Sequence, residues 1–188
     1  MKNGVSVATV AETDTPEGSY DRRTIVLHWV TAALVVLLWG IAQVIDLFPK
    51  GSPRIAARSV HISLGLLLGV VLVMRILWRT GRGRKLPPAN PGALGYLAKT
   101  AHILLYVVLG SVVVLGISNA WARGDSLFSL WKIPKLYPDI PQLKPTIENL
   151  HGTFANVLLI LAGAHALVAL AHHFFLRDRV LRRMLPRL

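Results

Sequence analysis

The sequence predicts an all-α protein, an integral membrane four-helix bundle with both termini on the cytoplasmic side. Three observations carry that prediction. Of 188 residues, 53% are hydrophobic and only 16% charged, with a mean hydropathy of +0.52, too apolar for an ordinary water-soluble domain. The apolar residues gather in four long runs, about as long as the ~20 residues that cross hydrocarbon. Arginines and lysines cluster beside alternate ends of those runs, which fixes an orientation.

Residues 1–20 include Glu12, Thr13, Asp14, Thr15, Pro16, Glu17 and Gly18, without hydrophobic period, and read as a flexible N-terminal tail. We expect no cleaved signal peptide, because the first apolar run starts only after Arg23 and is too long. Residues 21–188 form the membrane domain. Its first span covers about 25–45, with His28 one turn inside; Pro49, Lys50, Gly51, Pro53, Arg54 and Arg58 then form a link rich in turn residues. The second span covers about 59–77, with His61 at its beginning and Gly65 and Gly69 at four-residue steps below it. Glycines there remove bulk where a flat group would fit, and the same spacing also serves close helix packing.

Arg75 follows His61 by fourteen residues, on nearly the same face. It suits either an anionic group inside the bundle or the headgroups. Arg79, Arg82, Arg84 and Lys85 come next, and Pro87, Pro88, Pro91 and Gly92 end the loop. The third span covers about 97–120, with His102 near its start. A longer loop from Trp121 to Asn149 holds Pro134, Pro138, Pro141 and Pro145, with Trp121, Trp131 and Tyr137 suited to the membrane interface. The fourth span covers about 151–176 and ends in His172-His173, followed by Arg177, Arg179, Arg182, Arg183 and Arg187. With Arg22, Arg23, the Arg79–Lys85 cluster and this basic tail on one side, that side is expected to be cytoplasmic.

Composition also excludes function classes. The absence of cysteine removes disulfides, iron–sulfur clusters, thiolate ligation and covalent c-type haem attachment. The formal charge of +12 flanks apolar runs and leaves too little soluble chain for a nucleic-acid-binding domain, so we expect no nucleic-acid partner.

The fourth span carries the chemistry. His151 and His165 stand fourteen residues apart, roughly 21 Å along a helix and within roughly 40° of the same side. Imidazoles inside a membrane mark function, or else make interhelical hydrogen bonds. By depth, His61 pairs with His151 on the outer side, and His28 or His102 pairs with His165 on the inner side. Two stacked bis-histidine sites suit two noncovalent b haems. Zinc needs three or four converging ligands, and a proton-relay transporter uses an intramembrane carboxylate. No acidic residue lies deep in any span.

These residues resemble a known family. Leu27-His28-Trp29, Val60-His61 with Gly65, Ala101-His102, His151 through Ala164-His165 to Ala171-His172-His173-Phe174, and the closing Leu181-Arg182-Arg183-Met184-Leu185-Pro186-Arg187 are similar to the prokaryotic di-haem cytochrome b561 proteins. The likeness extends from Arg23 to Leu188 and is strongest to the superoxide oxidase type. It implies four helices, two haem b and exchange of electrons with ubiquinone in a bacterial inner membrane. It further implies His61 and His151 on the outer haem, His28 and His165 on the inner one, and His102 nonligating, near the inner haem or a quinone. Gly65, Gly69 and Arg75 are the accompanying cofactor-binding candidates.

The two outward loops carry Lys50, Arg54, Arg58, Arg123, Lys132, Lys135 and Lys144 against Asp46, Asp125, Asp139 and Glu148. Such a surface raises the encounter rate of a small anion such as superoxide, or simply contacts solvent and headgroups. The expected reaction is oxidation of superoxide outside and reduction of ubiquinone, with membrane lipid as the surrounding partner. The alternative is an anchor and electron-transfer subunit, bound to a dehydrogenase or hydrogenase as redox partner.

Overall fold

The computed structural model describes residues 18–89, 92–136, 140 and 142–185. Most of the N-terminal tail, Pro91, Tyr137, Pro138, Asp139, Pro141, Pro186 and Arg187 lie outside the described residues. Four helices follow in order: α1 (Arg22–Val44), α2 (Ser52–Thr80), α3 (Ala93–Arg123) and α4 (Leu143–Phe174). All four are long and apolar enough to cross a membrane. The protein is a four-helix membrane bundle.

Each helix starts where its sequence provides a start. Asp21 caps α1, its carboxylate accepting the Thr24 N–H at 2.9 Å. Pro53 and Pro145 stand in the first turns of α2 and α4, where a missing N–H costs nothing. Gly124, at φ +63°, closes α3 in the left-handed conformation, while the N–H groups of Gly124 and Asp125 both reach Ala120 O.

The helices outrun the apolar spans. α4 has 32 residues, about 48 Å at 1.5 Å per residue against about 30 Å of hydrocarbon. Helical hydrogen bonding continues into the headgroup layer. Hence His61 and His151 do not open their helices as expected: α2 begins at Ser52 and α4 at Leu143, more than two turns earlier. His28 and His102 likewise lie six and nine positions after the first residues of α1 and α3.

Packing is uneven around the bundle. The buried core joins Leu34, Val35 and Leu38 of α1 to Leu68, Val71 and Leu72 of α2, Val108 and Leu109 of α3, and Leu158 of α4. Extensive contact runs between α3 and α4 and between α1 and α2, whereas α4 meets α1 sparsely. Among its described residues α4 buries only Ile147 and Leu158.

One polar link crosses between α1 and α4, Trp39 Nε1 to Asn156 Oδ1 at 2.9 Å. At the end where α1 starts, Tyr20 N–H donates to Arg183 O and Arg183 Nη1 donates to Pro87 O. Trp29 Nε1 donates to Met184 O there. The start of α1, the α2–α3 loop and the C-terminal turn therefore share one side.

The opposite end holds a feature absent from the all-α expectation. Strands β1 (Ser126–Leu127) and β2 (Trp131–Lys132) pair antiparallel. The turn between them has positive φ at Phe128 and Ser129, and Leu130 N–H donates to Leu127 O. Ser59, fully buried on α2, fastens this hairpin: its hydroxyl donates to Ile55 O at 2.7 Å and accepts the Phe128 N–H at 2.8 Å.

Candidate haem sites

The pair expected on the outer side comes from α2 and α4. His61 and His151 face each other with ring centroids 6.3 Å apart and planes at 85°. The Nδ1–H of His151 points to Val112 O at 3.1 Å, which sets the tautomer and leaves Nε2 as the unprotonated nitrogen, the usual arrangement of a metal-bound histidine. Gly116 makes room for that ring, since a Cβ there would stand 3.0 Å from His151 Cε1. The Nδ1 of His61 is buried without a hydrogen bond of good geometry.

The site expected on the inner side holds three histidines. His28 of α1 and His165 of α4 have centroids 6.4 Å apart at 71°. His102 of α3 lies 5.1 Å from His165, and its Nδ1–H donates to Ala98 O. Arg75 reaches inward rather than out to headgroups: Nη2 is 2.9 Å from His28 Nδ1, and its guanidinium lies over the Tyr106 ring at 5.0 Å. The edge of Trp29 meets His28 at 5.6 Å.

These spacings test whether a haem fits. A metal–nitrogen bond of about 2.0 Å, plus about 1.1 Å from ring nitrogen to centroid, puts the centroids of two axial imidazoles about 6.2 Å apart. The His61–His151 separation of 6.3 Å and the His28–His165 separation of 6.4 Å meet that requirement. His102 and His165, at 5.1 Å, are too close to take an iron between them. Among the described residues no three His, Asp or Glu side chains converge to hold a bare metal ion. The donor set therefore fits haem, which brings four equatorial nitrogens of its own.

The two glycines below His61 part company. A Cβ at Gly65 would meet nothing within 4 Å, whereas one at Gly69 would stand 3.2 Å from Val113 Cγ1. Gly65 borders open space below the histidine, and Gly69 serves close packing of α2 on α3.

The basic loop residues are also divided. Arg54 pairs with Asp46 at 3.5 Å, Arg58 with Asp125 at 3.5 Å, and Arg123 with Asp125 at 3.5 Å and Glu148 at 2.9 Å. Three of the seven basic residues in these loops are thus occupied in ion pairs that tie the loops down. Lys50 and Lys132 are exposed, and Lys135 packs by Gly124. Sequence reasoning missed Trp39, Asn156, Gly116 and Ser59. Of these only Asn156, an amide deep in the fourth span, left a visible signal.

Comparison with known proteins agrees with this geometry. The family described as prokaryotic cytochrome b561 matches residues 19–187. The chain belongs to the prokaryotic cytochrome b561 family. Relatives include a probable superoxide oxidase CybB of Yersinia pestis, 29% identical over 164 residues, which span 86% of this chain and 92% of that one. Cytochrome b561 homolog 2 of Escherichia coli is 29% identical over 177 residues, 92% of this chain and 94% of its own. Cytochrome b562 of Cereibacter sphaeroides is 28% identical over 181 residues, 91% and 98% of the two chains. As a b561 protein this is a haem b-binding membrane oxidoreductase of electron transport in a bacterial membrane.

Proposed function

We propose that the protein is a di-haem superoxide:ubiquinone oxidoreductase of the inner membrane, taking electrons from superoxide outside and delivering them to ubiquinone. Overall, two superoxide anions, one ubiquinone and two protons give two dioxygen and one ubiquinol. The carrying observation is the pair of two-histidine sites, 6.3 and 6.4 Å across, at two depths on α4. His61 and His151 would hold the outer haem, and His28 and His165 the inner one. Bound haem supplies one-electron transfer; the protein supplies position, dryness and potential.

The protein's own residues prepare each site. Val112 O and Gly116 fix the His151 ring. Arg75 has only donors to offer, so beside it the Nδ1 of His28 accepts. Were His28 to hold a haem, its Nδ1 would carry the proton, and the Arg75 guanidinium would be free to pair with an anionic acceptor such as a haem propionate. His102, held by Ala98 O and next to His165, is placed for quinone rather than iron. A quinone docked in that inner half would draw its protons from the cytoplasm. Lys50 and Lys132 are exposed cations suited to superoxide steering, and the net positive charge of these loops acts at a distance even where arginines are paired.

The test is rapid mixing of oxidised protein with superoxide, with and without ubiquinone, following haem absorbance. Fast reduction followed by reoxidation by quinone is expected. Haems that stay oxidised toward superoxide but accept electrons from quinol would make this an electron-transfer subunit of a larger enzyme. His151→Ala and His165→Ala should each remove one haem of two by pyridine haemochrome assay, and unchanged content in either variant refutes the ligand assignment.

A further inference from the structure

Away from the histidines, a groove of about 730 Å³ runs between the start of α1 and the end of α2. That volume lies within the range of about 300–1,000 Å³ typical of small-molecule sites. Its wall is apolar and faces outward from the bundle: Val26, Met74 and Leu77 are 49%, 52% and 65% exposed. Its mouth carries Arg22, Arg23 and Arg82. Arg22 is the first residue of α1 and Arg82 follows the end of α2, so the cations sit where these helices leave the hydrocarbon.

Among the described residues no carboxylate answers the charge of Arg22 or Arg82 at that mouth, and Arg23 rests on the Trp78 ring at 4.7 Å. The adjacent carboxylate, Asp21, accepts instead from Thr24, Trp78 Nε1 and the Arg84 N–H. An occupant must therefore combine a negative head with an apolar tail. A neutral quinone leaves the Arg22 and Arg82 guanidinium groups uncompensated, and a free anion leaves the apolar wall uncovered. Guanidinium forks match phosphate oxygens, and basic pockets between membrane helices suit acidic lipid heads.

We propose that this groove binds an anionic glycerophospholipid, its phosphate held by Arg22, Arg23 and Arg82 and one acyl chain lying along Val26, Met74 and Leu77. The test uses holoprotein exchanged into micelles containing equal dioleoylphosphatidylglycerol and dioleoylphosphatidylcholine, with retained lipid read by native mass spectrometry. Phosphatidylglycerol keeps a net negative charge that the choline ammonium cancels in phosphatidylcholine, which predicts its retention about ten-fold over phosphatidylcholine at this cluster of arginines. Arg22→Gln with Arg82→Gln should bring the ratio to parity with haem content unchanged, and the paired lysine substitutions should restore most of it. Met74→Trp should lower total lipid retention by filling the wall. Equal retention of both lipids by the native chain, or an undiminished preference in the glutamine variant, overturns the proposal. Displacement of phosphatidylglycerol by added ubiquinone would reassign the groove to quinone.

Discussion

At the scale of single residues, the outer site depends on an atom that is not there. Gly116 gives way to the His151 ring, and a Cβ would already stand 3.0 Å from Cε1. Gly116→Val should cost about 1–3 kcal/mol by overpacking and tilt the imidazole away from His61. Haem content should fall toward one per chain, or the outer haem's redox potential should shift; neither change in a potentiometric titration would count against this geometry. Asp21 is a second case. Burial alone would raise its pKa, but hydrogen bonds from the Thr24 hydroxyl and N–H, the Arg84 N–H and Trp78 outweigh it and lower the value from 3.8 to about 2. A carboxylate whose pKa falls on folding stabilises above its unfolded pKa, and loses that effect as pH drops through the folded one. Asp21→Ala should cost about 0.5–2 kcal/mol at neutral pH. The melting difference from the native protein should be constant down to about pH 4 and shrink below it; a difference that vanishes nearer pH 6 contradicts the assignment.

At the scale of elements, the outer hairpin is fastened to α2 two residues before His61. Ser59→Ala leaves the Phe128 N–H and the site of its buried hydroxyl unmatched, a loss of about 1–3 kcal/mol. Amide hydrogen exchange across residues 126–132 should accelerate, while exchange in α1 stays as it was. Unchanged hairpin protection would mean the Arg58–Asp125–Arg123 cluster suffices to hold it. The hairpin was illegible in the sequence for a stated reason. Its turn places Phe128 and Ser129 at positive φ, where glycine or asparagine ordinarily announces such a turn. Helix extents were underestimated for a different reason: hydropathy marks the hydrocarbon boundary, and backbone hydrogen bonding does not end there.

At the scale of the whole molecule, orientation follows from charge. The interlocked end holding Arg22, Arg23, Arg82, Arg84 and Lys85 should be cytoplasmic. With no native cysteine, Lys132→Cys and Lys85→Cys report this directly. In intact cells with permeabilised outer membranes, an impermeant maleimide should label the first and spare the second, and the reverse pattern would invert the topology. The bundle's uneven packing belongs to this scale too. α4 leans on α3 and approaches α1 sparsely, so its histidines meet α1 and α2 across a ring-to-ring span of 6.3–6.4 Å.

The sequence by itself determined the four long apolar helices, their order, and the spacing of His28, His61, His102, His151 and His165 along them. Hydropathy and helical rise are one-dimensional quantities, and those features need nothing more. Tertiary structure decided what depth leaves degenerate. His28 and His102 lie at one level, and only the placement of α1 and α3 around α4 sets 6.4 Å against 5.1 Å from His165. It also separated Gly65 from Gly69, and it spent Arg54, Arg58 and Arg123 on Asp46, Asp125 and Glu148. Those outcomes depend on azimuth and on contacts between distant segments, which no period along a single helix encodes.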